Sequence, residues 1–473
     1  MNNLVIDMTH GGVKIAISLA KKGKNVLAYD IYNTLKGIDL KMLEIYDIWL
    51  LNDLSELKTY KGDMRVIYPI HLPLTHSEII ENNPDLNYSF LTHHGIIKEL
   101  LVDWAEDIPK IEITGVKGKT SSVFMLKEIL IDENPLILSS LGALLYENKK
   151  EIILKKDISI APANIKETID LAYKIANPIC KIADGIVESE NLRKYNSAIF
   201  ESSLGVSGIG DVGLLTNISE NYTIAQGRST AAEAKKQVFN CKSVVCMKES
   251  FDEYYSDITH PKVNTFSLED KTSNLYVDRV NYSLDQTEIT VSYKNVKTID
   301  DYILSGSMTI KTFAPGPHHV KNVLGVILTC LTLKINEDKI INGLNNYKGI
   351  TGRTTKRSNG NSTIIEEINP GINTDAIKQS INMINNLEDW YIAIGGDYGI
   401  TCEEIDEDKV AYYLNSLEND IILTGDVGSS ILTKMSKEVE FYENIDEIYD
   451  LAVENNKNLL FIYRSDYHKL SQR

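Results

Sequence analysis

Short apolar runs alternate with stretches of helical period along most of the chain, and that alternation predicts an α/β protein. The opening segment, NLVIDMTHGGVKIAISLAKKGKNVLAYD, reads as a strand, a glycine turn, an amphipathic helix and a second strand ending at Asp30, the βαβ unit of a Rossmann-like domain. It contains no GxGxxG, so a dinucleotide role is weakly supported beside the simpler reading of a close-packed turn through Gly11 and Gly12. The alternation continues through VIYPIHL and a helix-like stretch after Thr92 to Ile108 and Pro109, where the first boundary is placed. SAIFES, VGLLTNI, SVVCM and TEITVSY follow as candidate strands, with helical stretches up to VLGVILTCLTLKI, and predict one larger mixed-sheet domain ending near Tyr347. STIIEEI, WYIAIGG, DIILTG and NLLFIYR are four strand candidates for a third α/β domain. The expected domains are 1–107, 108–347 and 348–473, in keeping with roughly 150 residues per domain.

Composition narrows the class. The chain is 43% hydrophobic and can bury a large core, while 49 basic against 66 acidic residues give a net charge of -17. That balance offers no general attraction to nucleic acid or to an anionic membrane, and an acidic substrate would need a local basic pocket. The N-terminus lacks the pattern of a signal peptide, and the longest apolar run, Val323 to Leu333, is far shorter than the roughly 20 residues of a membrane helix. A cytoplasmic protein is expected, with its oligomeric state open. Cys180, Cys241, Cys246, Cys330 and Cys402 form no CxxC pair, which predicts reduced, mostly buried thiols instead of a disulfide framework or zinc cluster.

The strongest chemical signal is KIEITGVKGKTSSVFMLKEIL, where a strand runs into a short glycine loop and then a helix with apolar Val123, Leu126, Ile129 and Leu130. Gly115 and Gly118 would let backbone amides turn toward an anion, and the helix start would add partial positive charge. Lys119 would reach terminal phosphates and Thr120 would bind magnesium. Ile113 stands where the general GxxxxGK[ST] pattern has its first glycine.

These residues resemble the shorter TGxxGKT loop of the Mur ligases, here Thr114, Gly115, Val116, Lys117, Gly118, Lys119 and Thr120 followed by Ser121. Other stretches match in the family's order. SAIFESSLG places Glu201 where the family has a magnesium-binding glutamate, and VGLLTNIS resembles its TNI segment through Asn217. The family's following Asp-His pair is replaced by Glu220, Asn221 and Tyr222. AAEAKKQVF is similar to the segment with the carbamoylated lysine, assigned to Lys235 with Lys236 as the register alternative; a solvated helix face is the plainer reading. GPHHVKNVLGVIL resembles GxHNxxN, with His318 and Asn322 matching and His319 in place of asparagine. The resemblance implies that Asn322 contacts adenine and that Arg353, in ITGRTTKR, reaches ATP phosphates; a looser match extends to Asp397 in IGGDYG. It implies a three-domain architecture of Rossmann-like, central P-loop ATPase and C-terminal α/β domains, with ATP and magnesium as cofactors.

Within the family, DMTHGGVKIA, YDIYNTL, YPIHLPL, LTHHGIIKELL, GVKGKTSSVFMLKEIL and FESSLGVSGIGDVGLLTNI are similar to a branch of methanogenic archaea that closes a ring on a nickel tetrapyrrole. EEINPGINTD also departs from the amide ligases, which have an acidic residue followed by tyrosine, alanine and histidine there. The implied reaction is ATP-dependent cyclisation of a seco precursor through an acyl phosphate, with nickel belonging to the substrate. The rivals are a Mur-type amide ligase of pseudomurein synthesis and a tetrapyrrole carrier without chemistry. His10, His71, His76, His93 and His94 are candidates for substrate contact or axial nickel ligation, or else surface and capping histidines. The loop through Gly205, Gly208, Gly210 and Gly213 reads either as an opening for the flat macrocycle or as a plain flexible loop.

Overall fold

In the strand Asn2–Ile6, Leu4 and Ile6 pack into one apolar cluster while Val5 packs into another with Ile15, Ala16 and Leu19 of the helix Val13–Lys21. Burial on both faces is what a parallel strand covered by helices requires. The structure, a computed structural model, describes every residue except 178–179, 183–184, 188–192, 352, 385–386, 400–404 and 466–473. Its first sheet is wholly parallel, in the order Trp49–Leu51, Asn25–Tyr29, Asn2–Ile6, Asp63–Tyr68, Asn87–Thr92. This is the arrangement expected of a Rossmann-like unit.

The central sheet has eleven strands. Lys110–Thr114 lies between Ala198–Glu201 and Val212–Leu215, all parallel. Parallel pairing extends outward to Leu136–Ser139 on one side and through Ser243–Met247 and Val263–Ser267 to Leu275–Asn281 on the other. Gly142–Glu147 and Lys150–Lys155 add an antiparallel edge. Thr287–Lys297 and Ile303–Thr312 complete the order at the far side.

The third sheet runs Thr355–Asn359, Ser362–Ile368, Asn458–Arg464, Trp390–Gly396, Asp420–Thr424, Glu440–Tyr442, with only the first strand antiparallel. The chain separates into two compact units. One comprises Met1–Asp278, Val291–Met308 and Lys321–Gly343; the other comprises Arg279–Thr290, Thr309–Val320 and Leu344–Arg473. Within the first, a single apolar cluster joins Val5, Ile67 and Ile97 to Leu136, Ile169 and Phe200.

Cys241, Cys246 and Cys330 are free and buried, whereas Cys402 and the side chain of Cys180 lie outside the described residues. Among the described residues no helix is long and apolar enough to cross a membrane.

Candidate functional site

The buried strand Lys110–Thr114 delivers the chain to Gly115–Gly118 in the middle of the central sheet, beside the carboxyl ends of two parallel neighbours. Ligands of α/β sheets bind at such ends. A Cβ on Gly115 would lie 1.9 Å from Thr216 Oγ1, and one on Gly118 would lie 2.0 Å from Asn322 Oδ1. Gly118 also has a left-handed φ of 84°, so neither position accepts a side chain without distortion.

The TNI segment fastens the loop from outside. Val116 N donates to the Asn217 carbonyl at 3.0 Å and Lys117 N to Asn217 Oδ1 at 3.2 Å. The Thr216 hydroxyl and Asn217 amide in turn donate to the Lys117 carbonyl at 2.6 and 3.0 Å. The helix Lys119–Ile129 then begins with no side-chain cap, and Ser121 sits half-buried in its first turn. An uncapped helix start behind a glycine loop is suited to binding phosphate.

Lys119 Nζ donates to the carbonyls of Gly115 and Val116 at 2.9 and 3.2 Å, holding its charge over the loop. Thr120 Oγ1 donates to Glu201 Oε1 at 3.1 Å and lies 3.0 Å from Ser140 Oγ. Ser140 N donates to the other Glu201 oxygen at 3.1 Å. A buried hydroxyl beside a buried carboxylate is a hard-oxygen donor set that fits magnesium, with phosphate and water to complete it. Ser140 was not anticipated, because it reaches Glu201 across 61 positions of sequence.

Lys235 is fully buried and Lys236 is exposed, so the solvated-face reading fails for Lys235. Its Nζ donates to the Ser203 carbonyl at 2.9 Å and lies 5.6 Å from the Tyr222 ring. Burial, and then the charge of Lys119, pull its pKa down to about 7. Asn221 Oδ1 accepts from Ala232 N at 2.9 Å. Two of the residues that replace the Asp-His pair thus hold the Lys235 helix.

The description of the glycine loop as a plain flexible segment does not survive. The Ser207, Gly208 and Gly210 amides donate to the buried Glu112 carboxylate at 2.8, 2.8 and 3.0 Å, and the Ser207 hydroxyl joins them at 2.6 Å. A carboxylate taking these donors pins the segment from Ser207 to Gly210, so it is not a slack loop. The lone acid in KIEIT was the available signal.

The first unit therefore assembles Thr114–Ser121, Glu201, Lys235 and Asn322. In the second unit, half-buried His318 begins the helix Pro317–Thr332. His319 Nε2 lies 2.8 Å from Thr354 Oγ1, which itself bonds Glu367. Burial, with His318 beside it, holds the His319 pKa well below the ordinary value. Arg353 is half-buried in the turn before Thr355–Asn359. Asp397 accepts from Tyr463 at 3.0 Å and Ser465 at 2.7 Å.

All five N-terminal histidines lie in the first unit, and four of them gather at one cavity. His10, His71, His93 and His94 line a cavity of about 300 Å³ with Ile70, Ile160 and Leu204 among its apolar wall. His93 Nε2 lies 3.0 Å from the Ile6 carbonyl and so carries its proton there. Burial lowers the pKa of His93 to about 4 and that of His94 to about 3, which keeps both neutral at pH 7. Burial alone would raise the Asp7 carboxyl, but bonds from His71 and His10 hold it below its ordinary value. His76 stands apart, stacked on Phe90 at 3.8 Å.

A family profile described as Coenzyme F430 synthetase CfbE, C-terminal domain, matches residues 356–466. Over 443 residues the chain is 27% identical to the coenzyme F(430) synthetase of Methanocaldococcus jannaschii, covering 92% of this chain and 93% of that one. The structure superposes on MurF from Acinetobacter baumannii with a TM-score of 0.57 at 13% identity, over 89% of this chain and 92% of that one. The chain has the Mur-ligase fold. The pseudomurein peptide ligase type C of Methanothermus fervidus has the same fold, with a TM-score of 0.51 at 17% identity over 98% and 96% of the two chains. At these identities the solved structures speak for the fold alone. The chain shares the α/β fold of those structures, and its profile match covers most of the third sheet.

Proposed function

We propose that the chain is an ATP- and magnesium-dependent cyclo-ligase that activates a propionate of a nickel seco-tetrapyrrole and closes a carbocyclic ketone ring, the last step in forming coenzyme F430. The observation that carries this reading is the Thr120–Glu201 pair behind the Thr114–Thr120 loop, in a chain that a coenzyme F(430) synthetase matches over nine-tenths of its length.

In this reading the amides of Gly115, Val116, Lys117 and Gly118 and the start of the Lys119 helix hold the phosphates, while Asn322 holds adenine. Lys119 swings from its loop carbonyls onto the transferring phosphoryl group. Thr120 and Glu201 hold magnesium, which offsets phosphate charge when bound. By the resemblance of their segments, His318 is assigned a catalytic role and Arg353 a contact to ATP phosphates. A substrate carboxylate oxygen attacks the γ-phosphorus and ADP leaves. A ring carbon that has lost a proton then attacks the acyl carbon, so the carbon–carbon bond forms as the bond to phosphate breaks. A tethered nucleophile gains effective concentration and needs no amine pocket, which agrees with Glu220, Asn221 and Tyr222 in place of the Asp-His pair. The lowered pKa of Lys235 leaves part of it as free amine near neutrality, the form that adds carbon dioxide to become a carbamate.

Incubation with ATP, magnesium and the seco precursor tests the proposal by mass spectrometry. The product should weigh one water less than the substrate, with ADP and phosphate in equal amount. Phosphate release that answers to an amino acid or peptidyl nucleotide, and not to the tetrapyrrole, would replace it with an amide ligase. Pigment binding without ring closure would make the protein a carrier.

A further inference from the structure

We propose that Asp7, His10 and His71 form a site for a divalent transition-metal ion, held by the protein at the histidine-lined cavity. The topology places these residues together. Chain order in the first sheet reverses between Asn2–Ile6 and the adjacent Asp63–Tyr68, and the crevice beyond the carboxyl ends at such a reversal is where open α/β sheets bind ligands. Asp7 directly follows the first strand and His71 comes three residues after the second. The turn after Asp7 is tight: a Cβ on Gly12 would lie 2.1 Å from the Asp7 carbonyl. That closure brings His10 back over the carboxylate.

Asp7 divides its two oxygens between separate tasks. Oδ1 accepts from Thr9 N and His10 N at 2.9 and 3.2 Å, which fixes the carboxylate. Oδ2 lies 2.7 Å from His10 Nδ1 and 3.5 Å from His71 Nε2, and the two ring nitrogens are 3.2 Å apart. Donors in neighbouring positions on an ion at about 2.1 Å are themselves about 3.0–3.4 Å apart, so this triangle needs little change to close on one. Backbone amides holding a ligating carboxylate are the usual second layer of a metal site. Two imidazoles and a carboxylate suit zinc, cobalt, nickel or iron and not magnesium.

A second observation points into the same place. His94 is 3% exposed and lines the cavity with His10 and His71, yet neither ring nitrogen has a hydrogen-bond partner. A buried imidazole left this way is free to bond a ligand in the cavity. The ion is distinct from the nickel of a tetrapyrrole. A macrocycle occupies the four equatorial positions of its metal and leaves two on opposite faces, so three converging donors cannot all reach it.

The full chain, stripped with chelator and free of nucleotide, is titrated with cobalt(II). One equivalent should bind, with visible absorption bands that excess magnesium leaves in place and zinc abolishes. His71→Ala should weaken cobalt binding by about 100-fold or more. Asp7→Asn should do the same, but Asp7 also caps its turn, so His71→Ala carries the test, with circular dichroism and ATP binding as checks that the variant is folded. A wild-type chain that takes up no stoichiometric cobalt, or a folded His71→Ala that binds it equally well, overturns the proposal. ATP binding is read separately, so failure here leaves the ligase reading intact.

Discussion

The turn Asp7–Gly12 and the turn Gly115–Gly118 each follow a buried parallel strand and lead into a helix, yet they treat the N–H groups at the turn in opposite ways. Asp7 caps its own turn, taking Thr9 N and His10 N on one carboxylate oxygen. The helix at Lys119 has no side-chain cap, and its loop carries lysines where the other carries an acid and a histidine. Shared topology thus gives two crevices, and the side chains set the sign of what each can hold. A carboxylate on the amides removes the phosphate site and leaves a place for a cation.

Replacing Lys119 should break this comparison most severely. Lys119→Ala is expected to lower kcat for phosphate release by about 10²–10³-fold, measured by coupled phosphate assay, while leaving cobalt uptake at Asp7 unchanged. Acid should separate the two regions next. His93 and His94 have native pKa values of about 4 and about 3 against an ordinary 6.5, so between those limits the unfolded chain binds more protons than the native one. Their contribution is complete above pH 6.5 and is lost as pH falls, by about 2 kcal/mol for each at pH 5. Urea unfolding at pH 7 and pH 5 should show that difference shrinking by about 2 kcal/mol in His94→Leu. An unchanged difference would mean that His94 is not buried as a neutral ring.

Gly118→Ala combines a left-handed backbone with a collision at Asn322. It should cost about 1–3 kcal/mol of stability, and ATP affinity measured by calorimetry should fall with it. Asp7→Ala removes a turn cap, worth about 1 kcal/mol in thermal or urea unfolding, together with the contacts of its other oxygen to His10 and His71, and ATP affinity should not change. If ATP affinity fell as much as in Gly118→Ala, the division of labour between the two turns would be wrong.

The phosphate loop was legible because its meaning is local: glycine, lysine and threonine at fixed spacing between a strand and a helix. All four strands expected in the third sheet form. Thr355–Asn359 was missed because TKRSN is a polar edge strand with no alternation, and Glu440–Tyr442 because it is three residues long. The edge hairpin Gly142–Lys155 turns through Asn148 and Lys149, both at positive φ, where a detectable signal would be Asn-Gly. The histidines could be counted in sequence but not grouped. His10 and His71 meet only because two distant strands are neighbours, while His76 packs against Tyr68 and Phe90 away from their cavity. Glu112 as the anchor of the glycine loop, and Ser140 beside Glu201, are contacts across 95 and 61 positions; a lone acid in a buried strand marks Glu112 as paired but not with what.

The most direct test of the central claim follows one oxygen atom. With the reacting propionate labelled with oxygen-18, transfer of the γ-phosphoryl group to that carboxylate predicts one labelled oxygen in each phosphate released as the ring closes. Ring closure with unlabelled phosphate would contradict the account.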